Sequence, residues 1–102
     1  MRNLVEIVTN KQARGYILKV CKLSYPQPVG SNVINVCMID AGMGAGGHIA
    51  MEGHLKYLAD RGYVALKQAG LSLLGTSITL VDLTAKGIDL LEGTLQDAGV
   101  DV

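Results

Sequence analysis

Two histidines, His48 and His54, and two cysteines, Cys21 and Cys37, are the side chains in this sequence best suited to bind a metal or move a proton. Zinc sites need Cys and His in closely spaced pairs, and a catalytic cysteine needs a base beside it. Cys21 and Cys37 are sixteen residues apart and form no such pair. Free, buried thiols in a reducing compartment are their expected state. His48 can be drawn as a dyad with Asp40 or Glu52, but the sequence shows no Ser/His/Asp or Cys/His arrangement and no carboxylate pair placed for acid-base work. The reading is a protein without catalytic residues, metal or cofactor.

The glycine run "AGMGAGG", Ala41 to Gly47, raises the question of a phosphate cradle. Such a loop follows a strand and, in its commonest form, ends in Gly-Lys-Ser/Thr. Here the preceding residues have helical periodicity and His48 follows the last glycine, so the run reads as a turn between helices. Lys11, Arg14, Lys19 and Lys22 concentrate positive charge near the amino terminus, a pattern suited to phosphate contact. Against it stands the whole-chain balance of nine Lys and Arg with nine Asp and Glu, since DNA-binding domains usually carry a basic excess.

The elements that must position these residues follow from periodicity. At 102 residues and 49% apolar content, the chain is long enough for one domain with a modest core. With four Tyr, no Phe and no Trp, that core must be aliphatic. Asn10 to Ser24 reads as a helix with Ala13, Ile17, Val20 and Cys21 on one stripe and the four basic residues outside it, stopped by Pro26 and Pro28. Residues 1–8 extend that helix or form an arm. Ser31 is the expected N-cap of a second helix to Asp40, with Val33, Ile34, Cys37 and Met38 inward. A third helix, about Gly47 to Arg61, turns Met51, Leu55 and Leu58 inward and stops at Gly62.

Strand signals follow at "YVALK" (Tyr63 to Lys67) and "SITLVDL" (Ser77 to Leu83), joined by "QAGLSLLGT" as a hairpin tip. Thr84 is expected to cap a last helix carrying Ile88, Leu91 and Leu95 inward, and residues 97–102 to fray. The order helix, helix, helix, strand, strand, helix is that of a winged helix-turn-helix, mainly α with a small β-hairpin (α+β). No apolar run is long enough for a membrane span and no signal sequence opens the chain, so a cytoplasmic protein is expected.

"HLKYLADRGYV", His54 to Val64, resembles the recognition helix and wing start of ArsR-type winged-helix repressors. "LTAKGIDLL", Leu83 to Leu91, is similar to the segment that leads from the wing into the last helix of many such regulators. Together with "MRNLVEIV", "RGYIL" and "KGIDLLEG", these motifs look like a small ArsR-like protein of Mu-like phages and prophages. The resemblance implies a dimeric transcriptional regulator of double-stranded DNA. It does not extend to metal sensing, because the Cys-x-Cys pair of the sensing members is missing.

In such a protein His48, Ala50, Glu52, Gly53 and Lys56 of the third helix would face the major groove, with Lys67 at the base of the wing. Lys11, Arg14, Lys19 and Lys22 would meet the phosphate backbone. Without Arg, Asn or Gln, these outward positions carry little of the usual base-reading chemistry. Leu71, Leu73 and Leu74 at the wing tip suggest the alternative, a contact surface for a phage or host protein partner. A homodimer would form through Met1 to Val8 or through the last helix, while His54 reads as structural.

Overall fold

Nothing interrupts the first helical stretch for 21 residues, and α1 runs from Leu4 to Ser24. The computed structural model describes residues 4–44, 47–71 and 76–102, and at 47–49, 71, 76 and 77 the backbone alone. Helix α1 begins six residues ahead of Asn10, so the described part of residues 1–8 is helix extension. Its buried side carries Ala13, Gly15, Ile17, Leu18, Val20 and Cys21. The Tyr25 N–H returns to the Cys21 carbonyl at 3.0 Å, and Pro26 and Pro28 prevent another turn.

The next element is one the sequence did not signal. Val29–Gly30 forms a short strand, β1, antiparallel to β3 (Thr76–Leu83) with Val29 opposite Val81 and Gly30 opposite Leu80. The observed order is therefore α1, β1, α2, α3, β2, β3, α4, and not the uninterrupted run of three helices expected. Helix α2 (Ser31–Asp40) is capped by Gly30, with no side-chain cap bond, so Ser31 is not the N-cap but a buried first-turn residue. Ile34 and Met38 face the core as expected, Cys37 is half-buried, and Val33 is 48% exposed and points away. The Tyr16 hydroxyl donates to the Cys37 carbonyl at 3.1 Å and ties α1 to α2.

Helix α3 (Gly47–Asp60) seats Met51, Leu55 and Leu58 in the core. Its end has the geometry of a Schellman stop: the Tyr63 N–H reaches the Leu58 carbonyl and the Gly62 N–H the Ala59 carbonyl, both at 3.0 Å. Gly62 has φ +82°, a conformation L side chains avoid, which is why one glycine suffices to turn helix into strand. Strand β2 (Val64–Leu71) pairs with β3 from Val64–Leu83 to Leu71–Thr76, giving the sheet order β1-β3-β2. On the inner face, Val64, Val81 and Leu83 are buried.

Helix α4 (Ala85–Leu91) opens at Thr84, whose hydroxyl accepts the Gly87 N–H at 3.1 Å. Leu90 is its fully buried residue, and Ile88 and Leu91 pack beside the core. Leu95 does so too, but from beyond the helix end. Together the four helices and three-stranded antiparallel sheet make an α+β domain; among the described residues no helix is long and apolar enough to cross a membrane.

Residues 97–102 do not fray. Val100 is only 5% exposed, and the Asp101 N–H donates to the Lys11 carbonyl at 3.0 Å. The strap crosses α1 so closely that a Cβ on Gly15 would collide with the Asp101 carbonyl oxygen. Gly53 on α3, by contrast, faces open space. Alanine ordinarily favours a helix interior over glycine by about 1 kcal/mol. Gly53→Ala should therefore raise the melting temperature by several degrees, at about 4–8 °C per kcal/mol for a domain of this size. Gly15→Ala should lower it, because overpacking costs about 1–3 kcal/mol. Thermal unfolding followed by circular dichroism checks both signs, and equal shifts would contradict the strap's position.

Candidate nucleic-acid interface

The solvent face of α3 is fixed by what the opposite face buries. With Met51, Leu55 and Leu58 inward, Glu52, Gly53, Lys56 and Asp60 are exposed and Ala50 is half-buried. The Lys56 ammonium lies 3.2 Å from the Asp60 carboxylate, a solvated i, i+4 pair with both side chains largely exposed. Such a pair adds little to stability, yet the adjacent carboxylate offsets part of the positive field that Lys56 presents. His48 lies in the first turn of α3, with only its backbone described.

Beside α3, a shallow groove of about 190 Å³ separates the helix from the hairpin and is lined by Glu52, Leu55, Leu66, Gln68 and Thr79. Gln68 donates to the Thr79 hydroxyl at 3.0 Å across the two strands. Leu66 sits on the inner face opposite Val81 but stays 40% exposed. Lys67, on the other face of β2, is exposed. Of the leucines expected at the hairpin tip, Leu73 and Leu74 lie outside the described residues, and Leu71 is described by its backbone only.

The basic residues of α1 separate into two groups. Lys19 and Lys22 are exposed, the latter with its ammonium 5.2 Å from the Tyr25 ring centre. Lys11 and Arg14 are half-buried under the carboxy-terminal strap. Arg14 is not on an outer face as expected. Its guanidinium lies 3.8 Å from the centre of the Tyr57 ring and donates to the Gly99 carbonyl at 3.0 Å. Its Nε is buried without a partner. The i, i+4 spacing of Tyr57 and Arg61 brings Arg61 over the same ring, at 4.5 Å.

A polar cluster centred on Asp97 completes this region, and sequence reasoning did not find it. The Asp97 carboxylate accepts from the Tyr63 hydroxyl, from Arg61 at 3.1 Å and from the Gly99 N–H at 2.8 Å, with only 8% of its side chain exposed. Burial acts to raise the Asp97 pKa, but the bonds from Tyr63 and Gly99 and the charge of Arg61 outweigh it and hold the carboxyl below its ordinary value. Burial, then the bond to Asp97, pushes the Tyr63 hydroxyl up to about 12. His54 is half-buried, and burial followed by the Arg14 charge lowers its pKa, favouring the neutral ring.

Both thiols are free. Cys21 is buried, its pKa pushed up to about 12 by burial and then by the Asp82 charge, and Cys37 is half-buried. Among the described residues, no three His, Cys, Asp or Glu side chains come together as a metal-holding group. Compared with known proteins, the chain matches no protein-family model, no curated protein and no solved structure.

The Asp97 cluster has a pH signature. Because its folded-state pKa is depressed, Asp97 contributes stability that is present above the unfolded carboxylate range and lost as pH falls through its folded-state value. Asp97→Asn should destabilise the domain at neutral pH by about 1–3 kcal/mol, the cost of disrupting a buried hydrogen-bonded charge. It should also flatten the loss of stability below about pH 4. Urea unfolding at neutral and acidic pH tests this, and parallel losses at both would contradict the assignment.

Proposed function

We propose that this chain is a winged helix-turn-helix domain that binds double-stranded DNA and acts as a dimeric transcriptional regulator. The observation that carries the reading is the sequence of elements with its sheet order. A short strand follows α1, α2 and α3 come next, a hairpin leaves α3 directly at Gly62, and β3 lies between β1 and β2. In that architecture α3 is the recognition helix, with Glu52, Gly53 and Lys56 outward beside the first-turn His48. Lys67 on β2 serves the wing, and Lys19 and Lys22 reach backbone phosphate. The resemblance of His54 to Val64 to the recognition segment of ArsR-type repressors supports the same reading.

A second reading has its own observation. Val33, Val36 and Ile39 recur every third residue along α2 and are all substantially exposed, and Leu66 opens onto the groove beside α3. An apolar strip of this kind suits a protein partner better than phosphate. On this reading the domain is an interaction module in which α3 touches protein.

Fluorescence anisotropy with mixed-sequence duplex, titrated across salt, decides between them. DNA binding at about 10⁻⁴ to 10⁻⁶ M that weakens steeply with salt is the expected result. His48→Ala combined with Lys56→Ala should then weaken binding several-fold. An unchanged curve for that variant removes α3 from the interface, and no binding even at low salt favours the protein partner.

A further inference from the structure

The neutral net charge, which weighs against DNA binding, is the sum of two segregated parts. Residues 1–88 carry nine Lys and Arg against five Asp and Glu, a charge of +4. Residues 89–102 carry Asp89, Glu92, Asp97 and Asp101 with no base, a charge of −4. The end of the acidic part folds back along the basic helix. Arg14 donates to the Gly99 carbonyl, Arg61 pairs with Asp97, and the Lys11 carbonyl takes the Asp101 N–H. Two clefts flank the strap. One brings Asp101 together with Gln12 and Lys19, and the other with Val8 and Lys11.

We propose that this acidic segment is an intramolecular cover over a phosphate-contacting surface made by Lys11, Arg14, Lys19 and Arg61, and that it restrains the affinity of the domain for duplex DNA. The inference rests on the DNA-binding reading above. The physical reasoning is that a carboxylate set among cations supplies the negative charge that a DNA phosphate would otherwise bring, so phosphate gains less by approaching. It also removes the counterion-release term for each cation it neutralises. Asp97 holds the strap through Tyr63 and Arg61. Asp89, Glu92 and Asp101 are exposed, so their charges are separable from the fold.

The test is anisotropy with the same duplex across salt, using the full chain and the variant Asp89→Asn/Glu92→Gln/Asp101→Asn. At low salt the variant should bind on the order of tenfold tighter, with a steeper salt slope, as expected for about two further phosphate contacts. In the background Lys11→Gln/Lys19→Gln, the same three neutralisations should give little or no gain. A gain of equal size in that background means that net charge alone is acting, and overturns the cover. If the parent chain binds DNA and the triple variant binds with the same affinity and slope, the cover is wrong and the DNA-binding reading stands. If neither chain binds, both fall. Melting temperatures establish that the variants are folded, and Asp101→Asn alone repeats the comparison should the triple variant fail to fold.

Discussion

The carboxy-terminal half of the domain depends on the meeting of Gly62 and Tyr63 with Thr84 and Gly87. The Thr84 N–H donates to the Tyr63 carbonyl at 3.1 Å. The Thr84 hydroxyl shares its proton between the Gly62 carbonyl at 2.6 Å and the Tyr63 carbonyl at 2.9 Å, while accepting the Gly87 N–H. Four elements end or begin there: α3, β2, β3 and α4. The approach is so close that a Cβ on Gly87 would collide with the Tyr63 carbonyl. One threonine thus closes the hairpin at its base and caps the last helix. This fixes the direction in which the hairpin leaves α3, and with it the position of any wing relative to a recognition helix.

The Asp97 cluster extends that node toward α1. Tyr63, which supplies its carbonyl to Thr84, supplies its hydroxyl to Asp97. Arg61 stacks on Tyr57 and pairs with Asp97, and Arg14 of α1 stacks on the same ring and reaches Gly99. A continuous set of contacts therefore joins the start of the hairpin, the end of α3, the strap and the middle of α1. In a chain with no Phe or Trp, two guanidiniums over one tyrosine ring supply some of the close packing that a larger aromatic core would give. The arrangement also accounts for a glycine within a long helix: at position 15 the strap's backbone occupies the space a side chain would fill.

Features encoded locally were legible in the sequence. The spacing of Met51, Leu55 and Leu58, the stop at Gly62 and the cap at Thr84 each depend on residues within a few positions, and each is present. Strand β1 was not legible, because two residues after Pro28 show no alternation and pair only through the distant Val81 and Leu80. The exposed side of α2 was ambiguous for the opposite reason. Val33, Ile34, Val36, Cys37, Met38 and Ile39 surround the helix with apolar groups, so packing, not pattern, chose Ile34 and Met38. The strap misled because Asp97 and Asp101 look solvated, whereas the partners that order residues 97–102 lie 34 to 90 positions earlier, at Tyr63, Arg61, Arg14 and Lys11. Among the candidate site residues, α3 and β2 place Lys56 and Lys67 in solvent as expected, while Arg14 is drawn inward by Tyr57 and Gly99.

That displacement changes how the charge balance should be read. A total of zero is a property of composition, and a DNA phosphate meets a local field that decays over about 8–10 Å at ordinary ionic strength. Over that distance Lys11, Arg14, Lys19 and Arg61 lie beside the segment that carries Asp97 and Asp101, whereas Lys22 is exposed next to Tyr25. Lys56 is offset by Asp60 within a single helical turn. Positive field is therefore muted along α3 at Lys56 and beside the strap at Arg61. A recognition helix with a muted field can still lie in the major groove if backbone contacts on either side position it, since phosphate contacts set register and base edges set sequence. In this domain the question of affinity is thus physically separate from that of sequence preference. On the proposed DNA-binding reading, affinity follows the cations and the carboxylates that cover them, and sequence preference follows the outward side chains of α3.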